Sequence, residues 1–134
     1  QLHERLRQDP RVVLHERTNA RHLKKDSIPE RPTLATMDVS FISILKILPA
    51  LADVLAEGAD LISLVKPQFE ASRGEVGSGG IVRDPRVHTR VMLGVCEGAL
   101  ALGFNVRAVA RSPIDGVGGN REFFLHAVAP LRSV

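Results

Sequence analysis

The sequence predicts an α/β domain: a largely parallel sheet flanked by helices, with its last strand antiparallel. Two observations carry this. Short apolar runs alternate along the chain with longer segments whose apolar residues recur every three or four positions, the pattern of strands joined by helical crossovers. The last two runs are separated instead by a glycine-rich turn of hairpin length, SPIDGVGGN, and strands joined in that way lie antiparallel. At 134 residues, 44% apolar and 25% charged, the chain has the size and balance of one globular unit with one core.

Leu2 and Leu6, amid Gln, His, Glu and Arg, predict the last turns of an amphipathic helix that stops before Pro10. Arg11–His15 reads as a first strand, followed by a polar turn through Thr18 and Asn19. Residues 20–32, polar with two prolines, are surface connection. Thr33–Met37 is a second strand that delivers Asp38 to its carboxyl end. Ile44, Leu45, Leu48, Leu51, Ala52 and Leu55 then predict a helix from Ser43 to Glu57, with Gly58 as its C-cap. Ala59–Val65 is a continuous apolar run of the kind buried on both faces of a parallel sheet, and it ends in Lys66-Pro67. Residues 71–84 hold four glycines and little periodicity, which predicts a flexible loop. Asp84 as N-cap and Pro85 in the first turn open a helix that Gly103 closes. Phe104–Ala110 and Arg121–Ala129 are the last two strands.

Composition narrows the function. A net charge of +3 tilts the chain toward a polyanionic partner. Aromatic residues are scarce, five Phe with no Trp or Tyr, which argues against a surface of exposed stacking platforms. The single cysteine, Cys96, excludes an internal disulfide and a cysteine-built zinc site within one chain. It lies in an apolar helical pattern and reads as a packing thiol. The five histidines lack metal-ligand spacing, so no metal is expected. The longest apolar stretch, Phe41–Ala56, is broken by Lys46 and Asp53 and falls short of a membrane span. With no signal-peptide core at the start, the expected location is cytoplasmic.

Asp38 and Lys66 each terminate an apolar strand, and in open α/β sheets the ligand crevice lies outside the carboxyl ends of the strands. Pro67 restricts Lys66 to extended backbone, which presents the ammonium on a stiff support. An ordinary ion pair between strand ends, or two solvated loop charges, is the competing reading. Glu122, after Gly119-Asn120, reads from the residues alone as an exposed acid beside a turn. The GSGG at 77–80 does not directly follow a strand and lacks a Walker ending, so it reads as loop. Arg73, Arg83 and Arg86 flank that loop, either as phosphate contacts or as solvated charges.

Four segments, TMDVSFIS (36–43), LVKPQFE (64–70), GGIVRDP (79–85) and SPIDGVGGNREFF (112–124), together resemble the TlyA family. Its members are named either hemolysin A or ribosomal RNA 2'-O-methyltransferases with an FtsJ-like domain. The resemblance implies a Rossmann-like, S-adenosylmethionine-dependent methyltransferase fold. It assigns Asp38, Lys66 and Glu122 to three positions of a Lys-Asp-Lys-Glu set that methylates a ribose 2'-hydroxyl. Asn19 and Asp38 fall at positions near the cofactor. The partner implied is ribosomal RNA or a ribosomal subunit.

The same resemblance implies that residues 1–134 are the C-terminal part of one FtsJ-like domain. The first catalytic Lys, the glycine-rich cofactor loop, the first two strands and an S4-like RNA-binding domain would precede Gln1. Such a piece is expected to be inactive alone and to self-associate through exposed strand edges. Two other readings stand beside it: a membrane-active hemolysin, which the lack of a span or a marked amphipathic stretch disfavours, and a non-catalytic RNA-binding remnant.

Overall fold

The computed structural model of the chain describes residues 2–132. Strands β1 (Leu34–Met37), β2 (Asp60–Val65), β3 (Asn105–Arg111) and β4 (Phe123–Val128) form one sheet in the order β1-β2-β4-β3. β1 and β2 are parallel, and β4 runs antiparallel to both of its neighbours. The α/β class and the antiparallel last strand are therefore as expected. Helices α1 (Glu4–Arg7), α2 (Leu48–Val54), α3 (Pro67–Glu70) and α4 (Pro85–Ala101) complete the chain with several short 3-10 turns.

One face of the sheet carries the core. Met37, Leu61, Val65, Leu125 and Ala127 pack against Ile44, Leu48, Val91, Val95 and Ala99 in a single buried cluster. Burial along β2 alternates, with Leu61, Ser63 and Val65 buried but Ile62 and Leu64 only partly so. The expectation of a strand buried on both faces is thus corrected. The partly buried residues Ile62, Leu64, Phe124 and His126 share the opposite face, which the core cluster does not include.

The expected first strand does not form. Residues 12–15 are irregular, with Val13 and Leu14 exposed, and among the described residues β1 has a strand neighbour on one side only. A β-branched run becomes a strand only where a partner takes up its backbone donors and acceptors, and none lies beside it here.

The helix expected over 43–57 is shorter. Ile44–Lys46 is a 3-10 turn, and α2 begins only at Leu48. Pro49 explains the break, because a proline lacks the N–H that would continue a helix from the preceding turn but is tolerated in a first turn. α2 also ends before Gly58. Arg31 and Arg132 donate to the carbonyl oxygens of Asp53 and Leu55, satisfying helix-end acceptors from a distance. Gly58, at φ 69°, serves the later turn into β2. α4 follows its expectation closely, with the Asp84 carboxylate accepting from the Arg86 amide at 2.9 Å.

Candidate active site

The register of the sheet brings the charged residues together. β2 and β4 pair through Val65 and Phe123, so Lys66 and Glu122 are the next residues along, facing each other across the same end of the sheet. The Ser112 amide donates to the Glu122 carbonyl at 2.9 Å, which fixes the Glu122 backbone. Asp38 follows β1 at that end.

Lys66 Nζ lies 2.6 Å from Asp38 Oδ1 and donates to Ser40 Oγ at 3.3 Å. Its side chain is 15% exposed, whereas that of Asp38 is 65% exposed. The lysine is therefore held in the wall of the site while the carboxylate reaches solvent. Lys66 has extended backbone (φ −109°, ψ 103°) and Pro67 opens α3 immediately after it, as the Lys-Pro pair implies.

Glu122 is buried rather than exposed, with 8% of its surface accessible. Its Oε2 accepts from Gln68 Nε2 at 3.1 Å, and Gly116 presses against the carboxylate so closely that a Cβ there would fall 2.2 Å from Oε2. Lys66, Gln68, Asn120 and Glu122 line one cavity of about 320 Å³ with Ser40 and Phe41. Lys66 and Glu122 thus share a cavity, and the Lys66 ion pair is with Asp38.

Phe41 was invisible to composition. It is 89% exposed, holds a left-handed backbone (φ 64°), and meets Phe69 with ring centroids 4.9 Å apart. An aromatic face is thus held open beside a cleft, in a backbone conformation costly for a bulky residue.

The loops around the cavity are built, not loose. Residues 71–84 contain 3-10 turns at Arg73–Glu75 and Ser78–Gly80, and the Glu75 carboxylate pairs with Arg90 of α4. Asn120 clasps this loop to the one before β4. Its Oδ1 accepts from the Val82 amide at 3.0 Å, and its Nδ2 donates to the Gly80 carbonyl at 2.9 Å. The connection expected to be a simple hairpin turn therefore folds back as one wall of the site.

A second brace lies between β1 and β2. The carboxylate of Glu70 accepts from the Ser43 hydroxyl and from the Ile44 amide at 3.0 Å, joining the loop that carries Asp38 to the helix that follows Lys66. Burial pushes the Glu70 carboxyl above its ordinary value, with these two donors partly offsetting the rise. Sequence reasoning did not single out Gln68, Glu70, Phe41 and Asn120, which line or brace this region. All four lie inside the quoted motifs, and that clustering was the available signal.

Asn19 lies elsewhere. Its side-chain oxygen accepts from the Arg21 amide at 3.0 Å, capping a 3-10 turn. Arg73 and Arg83 are exposed and form no ion pair among the described residues. Arg86 is paired with Asp84 at 3.1 Å, which holds the Asp84 carboxyl below the usual range. Cys96 lines an apolar cavity between α4 and β3, and burial pushes its thiol up. No helix of the described residues is long and apolar enough to cross a membrane.

Known proteins resemble this chain. Over 120 residues the chain is 48% identical to the Mycobacterium tuberculosis protein named 16S/23S rRNA (cytidine-2'-O)-methyltransferase TlyA, covering 90% of this chain and 45% of that protein. It is 39% identical over 129 residues to Hemolysin A of Brachyspira hyodysenteriae, covering 96% of this chain and 54% of that one. A solved structure from Streptococcus thermophilus that also carries the hemolysin name superposes with a TM-score of 0.92 at 43% identity, over all of this chain and 50% of that one. The chain thus spans about half the length of the curated relatives it matches. The family model described as FtsJ-like methyltransferase matches residues 1–128, and the chain belongs to that family.

Proposed function

We propose that this chain is the methyl-accepting half of an S-adenosylmethionine-dependent methyltransferase acting on ribose 2'-hydroxyls of ribosomal RNA. The observation that carries the reading is the Lys66–Asp38 pair at the strand ends, with Glu122 facing it across one cavity. The names of the relatives and the family support it.

The chain's residues fit the acceptor side of the reaction. A ribose hydroxyl entering the cavity would meet Lys66 Nζ, which must first release a proton from its ammonium form; the neutral amine then accepts a hydrogen bond from the hydroxyl and takes up its proton as oxygen attacks. Asp38 holds that nitrogen in place, and Gln68 with Gly116 fixes Glu122 on the other side. A base splayed from the RNA would stack on Phe41, the mode by which single-stranded RNA is usually gripped. When bound, S-adenosylmethionine supplies an electrophilic methyl on sulfur, and the enzyme's task is alignment.

Toward the donor this chain offers less. Asp38 presents a largely exposed carboxylate beside the free side of β1, a suitable neighbour for a sulfonium cation. Asn19 is committed to a local cap and would have to exchange that bond to reach a cofactor. The half-covered sheet face and the length of the relatives support a larger domain, in which further strands and helices supply the cofactor loop. We place Arg73 and Arg83 on the RNA side, with Arg86 joining them on release from Asp84. The relatives' names specify ribosomal RNA; we take the ribosomal subunit as its substrate form, and a cytoplasmic location goes with that substrate.

The test is nucleoside analysis of ribosomal RNA after incubation with the intact protein and S-adenosylmethionine. New 2'-O-methylnucleosides are expected. Their absence, with leakage of dye-loaded liposomes instead, would favour the hemolysin reading; RNA binding without either would favour a non-catalytic remnant.

A further inference from the structure

Behind the wall clasped by Asn120 lies a second cavity, of about 220 Å³, lined by Val82, Arg83, Gly119 and Arg121 among others. The two cavities are served by neighbouring residues of the same two loops. Gly80 and Asn120 face the Lys66 cavity, while Val82, Arg83 and Arg121 face the second. Arg121 and Glu122 show why. Successive side chains of an extended backbone point to opposite sides, so burying Glu122 in the first cavity turns Arg121 toward the other.

Arg83 and Arg121 both line this one small space, and neither forms an ion pair among the described residues. Arg83 is oriented, since its Nη2 donates to the Ser78 carbonyl at 3.1 Å and its Nη1 lies close over Gly77. His88 also lines the space, but its Nε2 is occupied by the Val82 carbonyl at 2.8 Å. An anion bound between two unpaired arginines offsets their mutual repulsion, and the planar fork of arginine matches the oxygens of a phosphate.

We propose that the Arg83–Arg121 pocket is a phosphodiester subsite, which takes a backbone phosphate of the RNA next to the nucleotide whose ribose enters the Lys66 cavity. The proposal rests on the RNA-methyltransferase reading above. Because neighbouring residues of the same two loops line both cavities, an RNA backbone running past them would deliver a ribose to one cavity and a phosphate to the other. Anchoring the phosphate there fixes the register of the strand relative to Lys66.

The test uses the intact protein and ribosomal subunits, with binding measured over a range of salt. Replacing both residues, Arg83→Gln and Arg121→Gln, is expected to weaken binding roughly tenfold or more and to lower the log–log salt slope by about one for the lost phosphate contact. The paired lysine substitutions should keep most of the slope. Arg107→Gln, which removes a charge from the exposed bulge of β3, should change neither quantity. Melting curves establish that each variant is folded. If the double variant binds with parental affinity and slope while the parent still methylates RNA, the subsite is wrong and the wider reading stands; if the parent neither binds nor methylates ribosomal RNA, both fall.

Discussion

At Gly116 the constraint is one of space. Its φ of −82° suits any residue, but a side chain there would occupy the position of the Glu122 carboxylate. Glu122 is a flexible side chain and can move, so Gly116→Ala should cost little stability, under about 1 kcal/mol, while displacing the carboxylate proposed to be catalytic by enough to lower turnover roughly a hundredfold. Thermal melts beside single-turnover methylation would separate the two effects; equal loss of both would contradict the account. Glu70 gives a pH-dependent expectation. Its folded-state carboxyl titrates above the ordinary 4.5 because it is buried, so between that value and the raised one the native state binds more protons than the unfolded state. Stability from this group is therefore present at low pH, falls as pH rises through that window, and stays lower above it. Glu70→Gln should flatten that slope in urea midpoints taken from pH 4 to 7, and an unchanged slope would show that another group carries it. Asp38 and Lys66 were readable because each is a charge ending an apolar run. Glu122 was marked only by the family resemblance and not by its local pattern, because its burial depends on Gly116 and Gln68, which reach it through folding and not through neighbouring positions in the chain.

Among the elements, the Asn120 clasp does for two glycine-rich loops what regular pairing does for strands. Asn120→Ala would leave the buried Val82 amide and the Gly80 carbonyl without their partner, at a cost of roughly 2 kcal/mol. Amide exchange should then quicken at Val82 ahead of β2, and uniform quickening across the sheet would refute a local role. Residues 71–84 read as flexible because glycine content was legible and the distant asparagine that orders them was not. The same limit explains α2. Its apolar spacing was plain, but its ends are set by Pro49 and by carbonyl contacts from Arg31 and Arg132, the latter far along the chain. By contrast α4 carries its own start signal in Asp84-Pro85, and its start was read correctly.

The whole molecule is a sheet with one finished face and one half-finished face. Ile62, Leu64, Phe124 and His126 on the open side, together with the free edge of β1, form a surface that soluble domains ordinarily cover. Sedimentation velocity of this chain alone should show mass rising with concentration, whereas the larger domain proposed above should stay at one mass; a chain that remains monomeric throughout would show that the face is tolerated in water. The class of the fold was legible from alternating patterns, but the fate of Arg11–His15 was not, since a strand needs a neighbour that these residues do not have. The central claim is that Lys66 serves a ribose hydroxyl. It is tested most directly by transfer of labelled methyl from S-adenosylmethionine to ribosomal subunits, comparing the intact protein with its Lys66→Ala variant. The account expects transfer by the parent and a loss of at least about a hundredfold in the variant; transfer that survives the substitution, or none by the parent to any ribosomal RNA, would contradict it.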